Sequence, residues 1–338
     1  MKTLYQTLQS RRAPELYGDF WFNSEPLSLR ALQGNPIILF FWDYTSPHSL
    51  RMIPFINGLC TLYAEYGVIC IGVHSPEFFF GKDARKVEAA VKKNLMLFPV
   101  LTDNDRLVTD AYCITAVPSL CLIDHKGDIY DIIADNFQPE RIERSMQYLL
   151  RQSGYYGDLP ILLNPEFNER FDDAENPANN LFLGYIHGSL GNPEGYSPEL
   201  PAEYADPALY INGKFYAHGT WIAGKSSFEY AGKPNEGYLL CHTNGKNLDA
   251  LIGSETPAQV TVLVDDKNIL PKNCGNEIRQ TAKNETCIDI HEPKLYSVLQ
   301  QNTDPHHLVK FVPQQSGIVF YMFSFELFSH SESFDNAN

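Results

Sequence analysis

The chain has 338 residues, 44% of them hydrophobic and 13% aromatic, with 26 basic against 41 acidic side chains and a formal net charge of −15. This composition supplies enough apolar material for two ordinary domains and excludes wide disorder. An acidic surface with no compensating basic run argues against binding nucleic acid or anionic lipid heads.

Residues 1–16, MKTLYQTLQSRRAPEL, lack the apolar core and small-residue cleavage site of a signal peptide. The most apolar run, PIILFFW, is too short for a membrane span. The expected location is cytoplasmic, or periplasmic or otherwise extracytoplasmic if a leader preceded Met1.

Residues 36–44 are apolar throughout apart from Asp43, which predicts a strand buried on both faces. Over 50–66, Met52, Ile53, Ile56, Leu59, Cys60 and Tyr63 fall on one helical stripe, with Pro54 predicting a kink. VICIGVHS at 68–75 reads as a second buried strand, 83–95 as a helix with a charged outer face, and 98–103 as a strand. Acidic capping residues open a short helix over 103–113. A hairpin over 119–135 turns at Lys126-Gly127, and an amphipathic helix over 138–152 has Pro in its first turn. Strands alternating with helices predict a mostly parallel sheet with an antiparallel edge from the last hairpin. Residues 1–152 therefore form an α/β domain.

Residues 153–180, rich in Gly, Pro, Asn and acidic side chains, read as a linker. From 181 to 328 the helical period disappears. Seven or eight short strands between Gly, Asn, Asp and Pro turns predict an all-β sandwich, antiparallel and jelly-roll-like. Residues 329–338 read as a flexible tail.

Seven cysteines stand at 60, 70, 113, 121, 241, 274 and 287, none in a C-x-x-C spacing. Cys70, Cys113 and Cys121 read as small buried hydrophobes. Cys274 and Cys287 flank GNEIRQTAKNET and could pair across a hairpin. His306-His307 is poorly arranged for chelation, since adjacent strand residues point to opposite faces, and no metal site is expected. Ser46 lacks the G-x-S-x-G elbow of a hydrolase and reads as a helix N-cap. Most of Tyr210, Phe215, Tyr216, Trp221, Phe228, Tyr230 and Tyr238 read as core.

Several separated segments carry a family resemblance. APELYGDFWFNSEPLSLRALQGNPIILFFWDYTSPHSLRMIPFIN, VICIGVHSPEFFFGKDARKVEAAV and FPVLTDNDRLVTDAYCITAVPSLCLIDHKGDI together resemble a thioredoxin-like domain of the TlpA and DipZ type. NNLFLGY, YAHGTWIAGKSSFEY, AQVTVLVDD, EPKLYSVLQ and GIVFYMFSFELF resemble the β-sandwich, carbohydrate-binding-module-like, that follows it in DipZ-type proteins. The resemblance implies an α/β thioredoxin-like fold followed by the all-β sandwich. It places Ser46 and Ser49 at the two cysteines of the redox motif and Pro118, after Val117, at the cis-proline. Trp42, Tyr44 and Arg51 match positions flanking the motif, and Glu77 belongs to the DipZ-type insert.

A serine hydroxyl neither ionises usefully at neutral pH nor forms a disulfide, so dithiol exchange is not expected at this motif. Pro47-His48 between two serines reads as the trace of lost thiols, natural or engineered. The expected function is non-catalytic: a groove of Trp42, Tyr44, Pro47, His48, Val117 and Pro118 holds a peptide or protein partner, without a cofactor. The alternatives are a thiol–disulfide oxidoreductase whose cysteines were replaced by Ser46 and Ser49, and glycan binding by the second domain. Cys113 stays a candidate reactive thiol.

Overall fold

A computed structural model describes residues 11–134, 137–160, 180–243, 245–281, 285–302 and 307–326. Most of the expected linker and the whole expected tail lie outside the described residues, as does His306. Contacts divide the chain into two units, Met1–Glu175 and Asn176–Asn338.

The first unit contains β1 (Trp21–Phe22), β2 (Ile37–Trp42), β3 (Ile69–His74), β4 (Val100–Thr102), β5 (Ser119–Ile123) and β6 (Ile129–Ile133). Its helices are α1 (Pro47–Tyr63), α2 (Ala84–Lys93), α3 (Leu107–Ala111) and α4 (Pro139–Gln152). The sheet order is β1-β4-β3-β2-β5-β6. Every residue of β2 is buried, because helices or loops cover both faces of this central strand. One face packs Ile38, Phe40, Trp42, Met52, Ile56 and Leu59 together. The other packs Ile37, Leu39, Phe41, Val73, Leu101 and Ile123.

Two expectations are corrected here. Only β2–β3 and β3–β4 are parallel, while β1–β4, β2–β5 and β5–β6 are antiparallel. After β4 the chain crosses to the far side of β2 and enters β5 in the opposite direction. Cys70 is not a free thiol: it forms a disulfide with Cys60, with Cα atoms 5.8 Å apart. The chain reverses between α1 and β3 at Gly67, whose φ of +86° favours glycine, and this brings the two cysteines together. Helix α1 runs unbroken through Pro54, which faces solvent.

Among its described residues the second unit has thirteen strands in one sheet, more than expected, with β7 (Asn180–Phe182), β8 (Pro201–Tyr204) and β14 (Lys267–Asn268) off its main path. Along the main path the order is β15 (Ile278–Gln280), β16 (Thr286–Ile290), β13 (Ala258–Val264), β18 (Leu308–Pro313), β11 (Tyr238–His242), β9 (Phe215–Ala223), β10 (Phe228–Tyr230), β19 (Ile318–Glu326), β12 (Asn247–Ser254) and β17 (Lys294–Leu299). All its strand pairs are antiparallel. Strand β9 pairs with β11 through Phe215–His218 and with β10 through Trp221–Ala223, so one long strand belongs to both layers and the sheet is continuous. The end strands nearly meet, for Gly275 N–H donates to Val298 O and Gln300 N–H to Asn273 O. Phe215, Trp221, Phe228, Tyr230 and Phe311 fill the interior, as the alternating pattern implies. Cys274 and Cys287 are free, and the Cys287 thiol instead donates to Arg279 O at 3.5 Å.

Candidate functional site

Helix α1 begins at Ser46, whose backbone is extended (φ −92°, ψ 114°) and whose Oγ accepts the Ser49 N–H at 3.2 Å. Ser49 Oγ accepts the Asp43 N–H at 3.2 Å. Both hydroxyls satisfy backbone donors that the turn into a helix leaves without partners, so Ser46 is the expected N-cap. Ser49 is fully buried and Ser46 nearly so.

Beneath this turn lies a polar cluster that sequence reading missed. In the parallel register Trp42 stands beside His74, so the chain ends of β2 and β3 emerge together. The next residue, Asp43, is 1% exposed, and its Oδ1 stands 3.5 Å from His74 Nε2. Asp43 also accepts hydrogen bonds from the Thr45 N–H and hydroxyl and from the Glu77 N–H, at 2.9, 2.7 and 2.9 Å. Burial pushes the Asp43 carboxyl up, but His74 and the backbone donors of Glu77 and Thr45 outweigh it and hold it below the usual range. The sequence shows only that two apolar runs each end in a polar residue, Asp43 and His74; their pairing rests on the register.

Around the cluster, the Tyr44 ring stacks on His74 at 5.4 Å between centroids and Trp42 meets it edge-on at 5.1 Å. Tyr44 OH donates to Phe80 O at 3.2 Å, tying the insert to the loop. Arg106 donates to Ser75 Oγ and Ile114 O at 3.4 and 3.3 Å. Glu77 is exposed at the rim yet crowded. Desolvation, then the negative charge of Asp43, pushes its carboxyl up to about 7, with Arg106 opposing. His48 is half-buried and its pKa falls to about 4, through desolvation and then the charge of Arg51. His48 Nε2 has no hydrogen-bond partner among the described residues.

The expected groove residues do not all share one surface. Trp42 is fully buried, which corrects its place in the lining: the ring supports the turn from within the core. Pro47 and Pro118 are buried, whereas Tyr44, His48 and Val117 are half-buried. The Val117–Pro118 peptide is cis. The register Phe41–Ser119 puts this loop beside the end of β2 from which the Ser46 turn emerges.

No thiol stands at the turn itself. Cys121 is fully buried with its pKa raised by desolvation, and Cys113 is half-buried in a left-handed turn at φ 55°. No group of three or more metal-ligating side chains occurs among the described residues. No described helix is long and apolar enough to cross a membrane. In the second unit, Tyr210 and Tyr238 are the half-buried members of the aromatic series, and both donate to the Asp206 carboxylate.

Residues 11–132 match the AhpC/TSA family, and residues 178–325 match the family described as thioredoxin-like C-terminal domain. Protein DipZ of Mycobacterium bovis and of Mycobacterium tuberculosis is 31% identical over 265 residues, 75% of this chain and 36% of that protein. This chain thus spans about a third of the length of DipZ. The thiol-disulfide oxidoreductase ResA of Halalkalibacterium halodurans is 28% identical over 127 residues, 37% of this chain and 68% of that protein. A solved thioredoxin-like superfamily protein aligns with 44% of this chain and 99% of its own, at 25% identity and a TM-score of 0.39. With an AhpC/TSA-family domain ahead of a thioredoxin-like C-terminal domain, the chain belongs to the thioredoxin-like proteins and is similar to DipZ and, over its first domain, to ResA.

Proposed function

We propose that this chain is a redox-inactive member of its family at the α1 N-terminus, and that it binds an extended peptide or protein segment there without reacting. Ser46 and Ser49 stand for the two cysteines of the redox motif. The observation that carries the reading is the use of both serine hydroxyls. Each accepts a backbone N–H, and each belongs to a residue buried in the turn. A hydroxyl so placed caps a helix; it has no base set to ionise it and cannot close a disulfide. The accessible surface left to a partner is formed by Tyr44, His48 and Val117, with main-chain groups of the 115–117 loop beside them.

The experiment has two arms. The unaltered chain should show no dithiol-dependent reduction of a protein disulfide such as that of insulin. A peptide array should yield extended ligands whose affinity falls at least tenfold in Tyr44→Ala and Val117→Asp. Turnover by the unaltered chain that disappears in Cys113→Ser would overturn the redox-inactive reading, and ligand affinity indifferent to both surface variants would overturn the peptide reading.

A second reading has its own support. Asp43, His74 and the Glu77 carboxyl near pH 7 surround the turn with acid–base groups that a capped helix end does not need. They suit an oxidoreductase site whose thiols have been exchanged for serine. Ser46→Cys/Ser49→Cys should then gain disulfide reductase activity, and a folded but inert double variant rules this reading out.

A further inference from the structure

The Cys60–Cys70 disulfide lies at the other end of α1 from the serine turn. Cys60 sits three residues before the last residue of α1, and Cys70 is the second residue of β3. The fourteen residues from Ser46 to Cys60, mostly α-helical, put the two ends about 21 Å apart at 1.5 Å per residue. The two residues differ in exposure: Cys60 is half-buried, whereas Cys70 is 6% exposed.

The segment between them holds its shape by other means. Gly67 N–H donates to Ala64 O, Val68 N–H to Tyr63 O and Ile69 N–H to Pro36 O, at 3.1, 3.2 and 3.0 Å. The β2–β3 ladder continues from Ile69 to His74. Breaking the S–S bond therefore releases a staple without removing the fold around it. Cys121, Cys241 and Cys287 are buried, with pKa values raised first of all by desolvation, and the helix terminus that carries cysteines in a redox motif carries serines here.

We propose that Cys60–Cys70 is a substrate site for thiol–disulfide exchange in trans, reduced by a dithiol protein or small dithiol and re-formed by a disulfide oxidant. A thiolate of the reductant attacks the Sγ of Cys60, the more exposed residue of the pair. The Sγ–Sγ bond breaks with its electron pair on Cys70 Sγ, which takes up a proton. The second thiol of the reductant attacks the mixed disulfide, releasing Cys60 as a thiol and leaving the reductant oxidised. Two electrons and two protons pass from the dithiol to the pair. The chain is thus an acceptor in the reaction class of its family, independently of what the serine turn binds.

The test uses the full chain, first treated with glutathione disulfide, and counts thiols by alkylation in denaturant followed by mass spectrometry. Five of the seven cysteines should alkylate before reduction. All seven should alkylate after native incubation with dithiothreitol or with a thioredoxin-type dithiol protein, while circular dichroism stays unchanged. Cys60→Ala/Cys70→Ala should give five alkylated residues under every condition. Seven alkylated thiols after glutathione disulfide treatment overturn the proposal. So does a pair that dithiols reduce only once guanidinium has unfolded the protein, which assigns it a purely structural role.

Discussion

Asp43 Oδ1 and His74 Nε2 stand 3.5 Å apart inside the first domain, on side chains that are 1% and 0% exposed. The contact follows from the parallel register that puts Trp42 beside His74. A buried carboxylate keeps its charge only where donors surround it, and here Thr45 and the Glu77 N–H complete the set. Asp43→Asn should therefore cost about 3 kcal/mol, the order expected when one member of a buried pair is removed. Urea unfolding of the two proteins measures this; a cost under about 1 kcal/mol would show that the cluster does not depend on the charge.

His48 and Glu77 should tilt stability with pH in opposite directions. The folded-state pKa of His48, about 4, is below the ordinary 6.5, so the unfolded chain binds the extra proton between these values and stability falls as pH drops from 6.5 toward 4. That of Glu77, about 7, is above the ordinary 4.5, so the folded chain holds the extra proton and stability falls as pH rises from 4.5 toward 7. Glu77 is reached by solvent and its slope is the shallower. Glu77→Gln should steepen the loss on acidification, and His48→Gln should leave a gentle decline with rising pH. Chemical denaturation in steps from pH 4 to 7.5 gives the slopes; identical profiles for all three proteins would remove both assignments.

Much of this was legible in the residues, for identifiable reasons. A strand buried on both faces must be continuously apolar, so β2 and β3 announced themselves. Ser46 could be read as a cap because capping depends on the residue and its next few neighbours. The Asp43–His74 contact depends instead on register between segments thirty residues apart, which no local pattern records. Cys60 and Cys70 each fit an apolar stripe and so resembled packing residues; the reversal at Gly67 is what joins them. Chain order alone does not say which side of β2 receives β5, and the antiparallel pairing was lost with it. Trp42 precedes a loop in sequence, but the pleat turns its ring into the core.

Ser46→Ala removes the acceptor of the Ser49 N–H and should cost about 1 kcal/mol. Ser46→Asp, which keeps an acceptor at the helix N-terminus, should restore most of it. Thermal unfolding followed at 222 nm separates the two, and equal melting temperatures for Ala and Asp would show that the hydroxyl is not a functioning cap.

Removing the disulfide acts chiefly on the unfolded chain. A bridge between residues ten apart restricts that ensemble by about 2–3 kcal/mol in the loop-entropy treatment. Cys60→Ala/Cys70→Ala should lower the melting temperature of the first domain by roughly 5–10 °C. An unchanged melting temperature, with the oxidised state of the parent confirmed by mass, would contradict this.

Asn192 is 5% exposed and works as a clamp in the second domain. Its Nδ2 donates to Ala205 O and Ala217 O, each at 2.9 Å, and its Oδ1 accepts the Ala217 N–H at 2.8 Å. Asn192→Ala leaves buried backbone groups without partners and should cost about 2–3 kcal/mol. Asn192→Asp keeps the acceptor but loses the two donations and should lie at least as low. Denaturant midpoints rank the three, and a neutral Asn192→Ala would mean that another group fills the gap.

The near-closure of the second sheet limits how that domain can be recognised. An open sheet offers its outermost strand as a template on which another chain can lay an extra strand, through a run of free main-chain donors and acceptors. Here the 273–277 segment already occupies the outer side of β17, with Glu277 Oε2 taking the Ser297 N–H alongside the main-chain bonds. With that flank taken, strand exchange between copies and fibrous stacking lose one of their two starting points. Recognition along the β17 flank must therefore be written in side chains.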